Sequence, residues 1–156
     1  MAAVSAAVGG PAAWSPARIY LVASGAFLLF LAAAGFALNT AFPSDAGQVT
    51  DAASDHVFGI FETNGWHNLA GLISGLVALT FSIRPEWARL GALVKGFSYV
   101  LVTTSIAIWG GETFLIASNV ADQIVHGSLA IGGIATGLLT PPRKRSAPDG
   151  SGGSVD

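Results

Sequence analysis

The sequence predicts an all-α integral membrane protein, a four-helix transmembrane bundle made of two helical hairpins related as parallel repeats. Three observations carry this expectation. First, 52% of the 156 residues are hydrophobic and only 10% are charged, with a mean hydropathy of +0.62. A water-soluble domain carries about a quarter charged residues. Second, four apolar runs, near 19–38, 66–83, 90–109 and 120–140, approach the roughly 20 residues that cross a bilayer. Third, four spans place all seven basic residues on one side: Arg18, Arg84, Arg89, Lys95, Arg143, Lys144 and Arg145. Asp45, Asp51, Asp55, Glu62, Glu112, Asp122 and the three histidines fall on the other. The positive-inside rule then sets the chain in the cytoplasmic membrane with both termini cytoplasmic.

Each element has its own reason. Residues 1–17 are rich in Ala, Gly, Ser and Pro without apolar period, which predicts a disordered tail. The first span is too long, and its leading segment too poor in basic residues, for a signal peptide, so it is expected to stay uncleaved. The loop 39–63 holds Pro43 and Gly47, and Val49 to Phe61 is expected to form a short interfacial helix. Pro85 is expected to stop the second span, with 84–89 as a tight loop. Lys95 lies within two turns of the expected start of the third span, so its stem should snorkel back to water. Gly110 and Gly111 turn the chain, and Pro141-Pro142 ends the fourth span. A basic and then disordered tail, 141–156, follows. Trp14, Tyr20 and Trp87 mark the inner interface, Trp66 and Trp109 the outer one.

The second and fourth spans open alike. Asn64-Gly65-Trp66-His67-Asn68-Leu69-Ala70-Gly71 aligns with Asn119-Val120-Ala121-Asp122-Gln123-Ile124-Val125-His126. The polar positions recur at i, i+3, i+4 and i+7, one face of a helix. Gly71 and Gly75 stand four apart in the second span, Gly133 and Gly137 in the fourth, and each pair shares a face with the polar residues. Small residues at that spacing let membrane helices approach closely. The repeat sets His67 opposite Asp122, and helices two and four should face each other there. Gly71 would leave room for the His126 ring.

These octads resemble those of a bacterial family of small four-span membrane proteins of unknown function. Its members carry Asn-x-x-His-Asn-x-x-His at the second span and Asn-x-x-Asp-Asn-x-x-His at the fourth. The resemblance covers roughly residues 18–140 and includes Gly25-Ala26-Phe27-Leu28-Leu29. Gly71 and Gln123 depart from the pattern. The resemblance implies the four-span architecture and no reaction.

The polar residues admit several functions. In the structural reading, Asn64, His67, Asn68, Asn119, Asp122, Gln123 and His126 form an outer polar network that cross-links the hairpins and needs no cofactor. The protein is then an accessory or structural membrane component whose partner is the bilayer, with a homo-oligomer or a larger complex left open. In the alternative reading, His67, Asp122 and His126 hold zinc or non-haem iron, or His67 and His126 ligate haem. For transport, no span carries a midplane acid or base, and Tyr99, Thr103, Thr104 and Ser105 make the third span only mildly polar. No phosphate loop, nucleophile elbow or dinucleotide fingerprint occurs, so no enzyme is expected. Cysteine is absent, which excludes disulfides and thiol chemistry. Arg143, Lys144 and Arg145 suit anionic lipid rather than nucleic acid.

Overall fold

A computed structural model describes residues 14–52 and 55–142. The expected tails fall outside these residues except at 14–17 and 141–142, and the basic cluster 143–145 lies outside them. The order is α1 (Pro16–Leu38), α2 (Ala46–Ala52), β1 (His56–Val57), β2 (Phe61–Glu62), α3 (Gly65–Ile83), α4 (Pro85–Trp109), a 3-10 turn (Glu112–Phe114) and α5 (Val120–Leu139).

Local chemistry sets the helix boundaries. Ser15 caps α1 by accepting from Arg18 N, with Pro16 in the first turn, where a missing N–H costs nothing. Asn64 caps α3 and Asn119 caps α5. The second span ends at Ile83 before Pro85, as expected, but Pro85 also opens α4, where the sequence reading set a tight loop over 84–89. Arg84 alone bridges the two helices, as C-cap of one and N-cap of the other. The helix therefore starts five residues earlier than expected, and Lys95 sits about 15 Å along its axis at 1.5 Å per residue. Lys95 does not snorkel: it is buried, and Nζ lies 5.6 Å from the Tyr99 ring centroid.

The long loop differs as well. In place of a helix over Val49 to Phe61, a short helix ends at Ala52 and an antiparallel hairpin pairs His56 with Glu62 and Val57 with Phe61. Its turn places Phe58 at φ 56° and Gly59 at φ 70°. The left-handed region closes the turn, and Gly59 occupies it without strain. The Phe58 ring stacks on Phe30 of α1, centroids 5.8 Å apart.

Helix α1 packs chiefly on α3, and α4 on α5; α1 also meets α4 and α5, and α3 meets α4. Helices α3 and α5 occupy far corners without close backbone approach, so they do not face each other as the repeat suggested. Glycine makes both main contacts close. A Cβ on Gly25 would meet Gly75 O and Leu79, both at 3.0 Å; one on Gly96 would meet Ala130 O at 3.0 Å and Ile134 Cγ1 at 2.9 Å. The offset from Gly75 to Ala130 is that from Leu79 to Ile134, and also that from Asn64 to Asn119. It recurs at the end that holds the termini. There Arg18 Nε donates to Ser82 O (3.0 Å) and Arg89 Nε to Gly137 O (3.2 Å), Ser82 and Gly137 being separated by the same offset. Tyr20 is half-buried and donates to Leu129 O at 2.6 Å, so it braces α1 on α5.

Three helices are long and apolar enough to cross a membrane: α1, α3 and α4. The sequence reading expected four. Helix α5 has 20 residues, but Asp122, Gln123 and His126 in its first two turns lower its apolar character.

Candidate functional site

The polar residues gather at the end of the molecule that holds the loops, where both octads begin. Asn64 Oδ1 accepts from His67 N (2.9 Å), and its Nδ2 donates to Leu115 O (2.9 Å). Asn119 does the same work on α5. Its Oδ1 accepts from Asp122 N (3.2 Å), and its Nδ2 donates to Ile60 O (2.7 Å). Each asparagine therefore caps its own helix and ties a loop from the other half of the chain. Asp122 Oδ2 accepts from Asn119 N at 2.9 Å and completes a capping box, a reciprocal arrangement that satisfies two orphan donors.

Asn68 and Gln123 reach the residue before each cap. Thr63 Oγ1 donates to Asn68 Oδ1 (2.6 Å), and Gln123 Nε2 donates to Ser118 Oγ (2.9 Å). Asn68 Nδ2 also donates to Asn39 O (3.0 Å), while Gln123 Oε1 is buried without a partner. Sequence reasoning missed Thr63, Ser118, Asn39 and Gly35. The signal for the first two was a hydroxyl residue directly before each capping asparagine. Gly35 matters because a Cβ there would fall on Asn68 Oδ1.

His67, Asp122 and His126 line one cavity of about 40 Å³, together with Glu62, Thr63, Asn68 and apolar residues of α1 and the hairpin. His67 Nδ1 lies 3.0 Å from Glu62 O, and a carbonyl only accepts, so this nitrogen carries the proton. In the neutral ring Nε2 is then the acceptor. The backbone of Glu62 also hydrogen-bonds the Asp122 carboxylate. The expected pairing of His67 with Asp122 is therefore bridged by the hairpin. The His67 and His126 ring centroids lie 5.9 Å apart at 65°, and Tyr99 lies 5.4 Å from His126. His126 Nδ1 is buried without a partner. His56, in β1, places Nε2 4.0 Å from Glu62 Oε1.

The metal reading gains no support from this geometry. Among the described residues no group of three or more His, Asp or Glu side chains could hold a metal ion. His67 Nδ1 faces Glu62 O, and Asp122 Oδ2 is engaged in its own cap. The cavity of about 40 Å³ that all three residues line has room for water.

The glycines divide. A Cβ on Gly75 would meet Leu29 Cδ2 at 2.9 Å, one on Gly133 would meet Gly96 Cα at 2.7 Å, and one on Gly137 would meet Leu93 Cδ2 at 2.6 Å. One on Gly71 would meet Ala32 Cβ at 3.7 Å, an ordinary contact. Gly71 therefore lies against α1, and it lines the same cavities as His126.

Fold and site define a class: a mostly helical protein with helices that could span a membrane and with polar residues clustered at one end. Residues 18–139 match the family described as a domain of unknown function, DUF4383, and the chain belongs to that family. Neither the curated proteins nor the solved structures offer a match.

Proposed function

We propose that the chain is a four-span protein of the cytoplasmic membrane, both termini cytoplasmic, serving as an accessory or structural component rather than an enzyme. The outward face of α5 carries the reading. Val120, Ile124, Ile131, Leu138 and Leu139 are exposed, Val120 at 76% and Ile131 at 72%, whereas Asp122 and His126 are buried. An apolar face this large is a liability in water and a requirement in lipid. The polar residues that lower the apolar character of α5 turn inward, as intramembrane polar groups do.

The constant offset linking the capping asparagines, the glycine crossings and the arginine contacts supports two hairpins built as parallel repeats. The structural role rests on the polar side chains themselves. Asn64, Asn68, Asn119 and Asp122 are engaged in caps and loop ties. Lipid is the partner that the exposed faces fit, and the same faces are compatible with a second copy or another membrane protein.

Reporter fusions test the topology. Fusions after Ala88 and after Arg145 should read cytoplasmic, and one within 45–55 should read external. An external signal after Arg145 removes the fourth span, and reversal at all three sites inverts the orientation.

A further inference from the structure

Lys95 is the one lysine among the described residues. It is 7% exposed, and its Nζ has no hydrogen-bond partner. It lies near the middle of α4, a 25-residue helix. An unpaired ammonium so deep in a membrane helix is costly and marks an ion or proton site more often than a packing element. Ser98 and Tyr99 on its own helix and Ser74 on α3 line the same cavity. Tyr20 of α1 stands beside Tyr99, and α5 carries no titratable group besides Asp122 and His126.

Above Lys95 the titratable groups form a column. Tyr99 Oη lies 3.1 Å from Ser74 Oγ; the Tyr99 ring meets His126, and His126 meets His67. His67 and Asp122 then line the outer cavity with Glu62. Cavities accompany the column. The outer one, about 40 Å³, shares His67, Gly71 and His126 with a second of about 220 Å³. That one shares Ser74, Ser98 and Tyr99 with a third of about 360 Å³, which reaches Lys95. Each has room for water that would bridge the gaps between side chains. Toward the termini, by contrast, Ala17, Leu21, Ala78, Ala88 and Ala92 pack into an apolar cluster, with Phe81 and the ring of Tyr20 against it; the Tyr20 hydroxyl is engaged with Leu129 O.

We propose that Asp122, His67, His126, Tyr99 and Lys95 form a one-ended proton path, which loads Lys95 from the outer face and is closed toward the cytoplasm by the alanine-rich cluster. The proton enters at the Asp122 and His67 cavity and passes through the imidazole of His126. Tyr99 accepts it on Oη while releasing its own, so the phenol is unchanged overall. It ends on the Lys95 amine, which becomes an ammonium.

The path rests on the membrane-spanning reading but fails separately from it. The sequence contains two lysines, Lys95 and Lys144, so Lys144→Arg leaves one reporter. With [ε-13C]lysine, the full-length variant is reconstituted in one orientation in sealed phosphatidylcholine vesicles. The Lys95 Cε resonance should follow the outer pH and ignore the inner pH. Tyr99→Phe should slow proton exchange at Nζ by about a hundredfold, the low end of what a positioned proton-transfer group contributes. A resonance indifferent to outer pH, one that follows inner pH, or an exchange rate unchanged in Tyr99→Phe overturns the path. With the reporter fusions reading as expected, those results leave the spans standing.

Discussion

Asn68 and Gln123 hold equivalent places in the two octads, and their surroundings separate them. Asn68 sits in a pocket that Gly35 keeps open, with both ends of its amide bonded. Gln123 has one end bonded and the other buried without a partner. Gly35→Ala should therefore expel the Asn68 carbonyl and strand Thr63. The expected cost is about 1–3 kcal/mol, that of leaving a buried polar group unsatisfied. Thermal unfolding in detergent measures it, and a melting temperature equal to the parent's would show that Asn68 has another place to go. The asparagine caps were legible because an N-cap signature is local. Gly35 was not, since its partner lies on another helix and nothing near it in sequence announces the contact.

At the scale of helices, close approach is what glycine provides, and only some glycines provide it. Gly133→Ala should push α5 off α4, because the added methyl meets the Gly96 backbone, which cannot rotate away. Overpacking of that kind costs about 1–3 kcal/mol. Gly71→Ala meets a methyl at ordinary distance and should change stability by less than about 0.5 kcal/mol. Equal melting temperatures for the two variants would mean that α4 and α5 slide to absorb the methyl. Spacing identified all four glycines as a set, and it could not tell which face meets backbone and which meets a side chain. The start of α4 was misplaced for a related reason. One proline can both end a helix and open the next, and the sequence does not show that a single residue, Arg84, suffices for the turn between them.

Across the whole molecule, two arginines hold the terminal end together. Arg18 and Arg89 each donate from one helix to the last turn of its main partner, where unpaired carbonyls and the helix dipole favour a cation. Arg18→Met and Arg89→Met should each lower stability by about 0.5–2 kcal/mol, and the double variant by roughly the sum, since the two sites lie on different helix pairs. A double variant no weaker than either single one would contradict independent hairpins. The helical class, three apolar helices long enough to cross a membrane and the gathering of both octads at one end were legible in apolar run length and in the octads themselves. The diagonal placement of α3 and α5 was not, because a repeat fixes equivalence and leaves adjacency open. The depth of Lys95 followed from the misplaced start of α4.

The ring stack between Phe58 and Phe30 sets a depth gauge. Phe30 lies eight positions before the last residue of α1, about 12 Å along the axis, and a helical side chain leans further toward the N-terminus. The hairpin tip therefore hangs beside α1, below the helix end, instead of standing above it. Its backbone suits such a place: Gly59 N and Ile60 N donate within the turn, and Ile60 O accepts from Asn119. Backbone that enters a bilayer must be satisfied in this way. With no native cysteine to interfere, Gly47→Cys on exposed α2 should react with a membrane-impermeant maleimide added outside intact cells. Ile60→Cys should resist it until detergent is added, although its side chain is 52% exposed. Equal labelling of the two would put the tip in water, and then the exposed rings would face solvent rather than acyl chains.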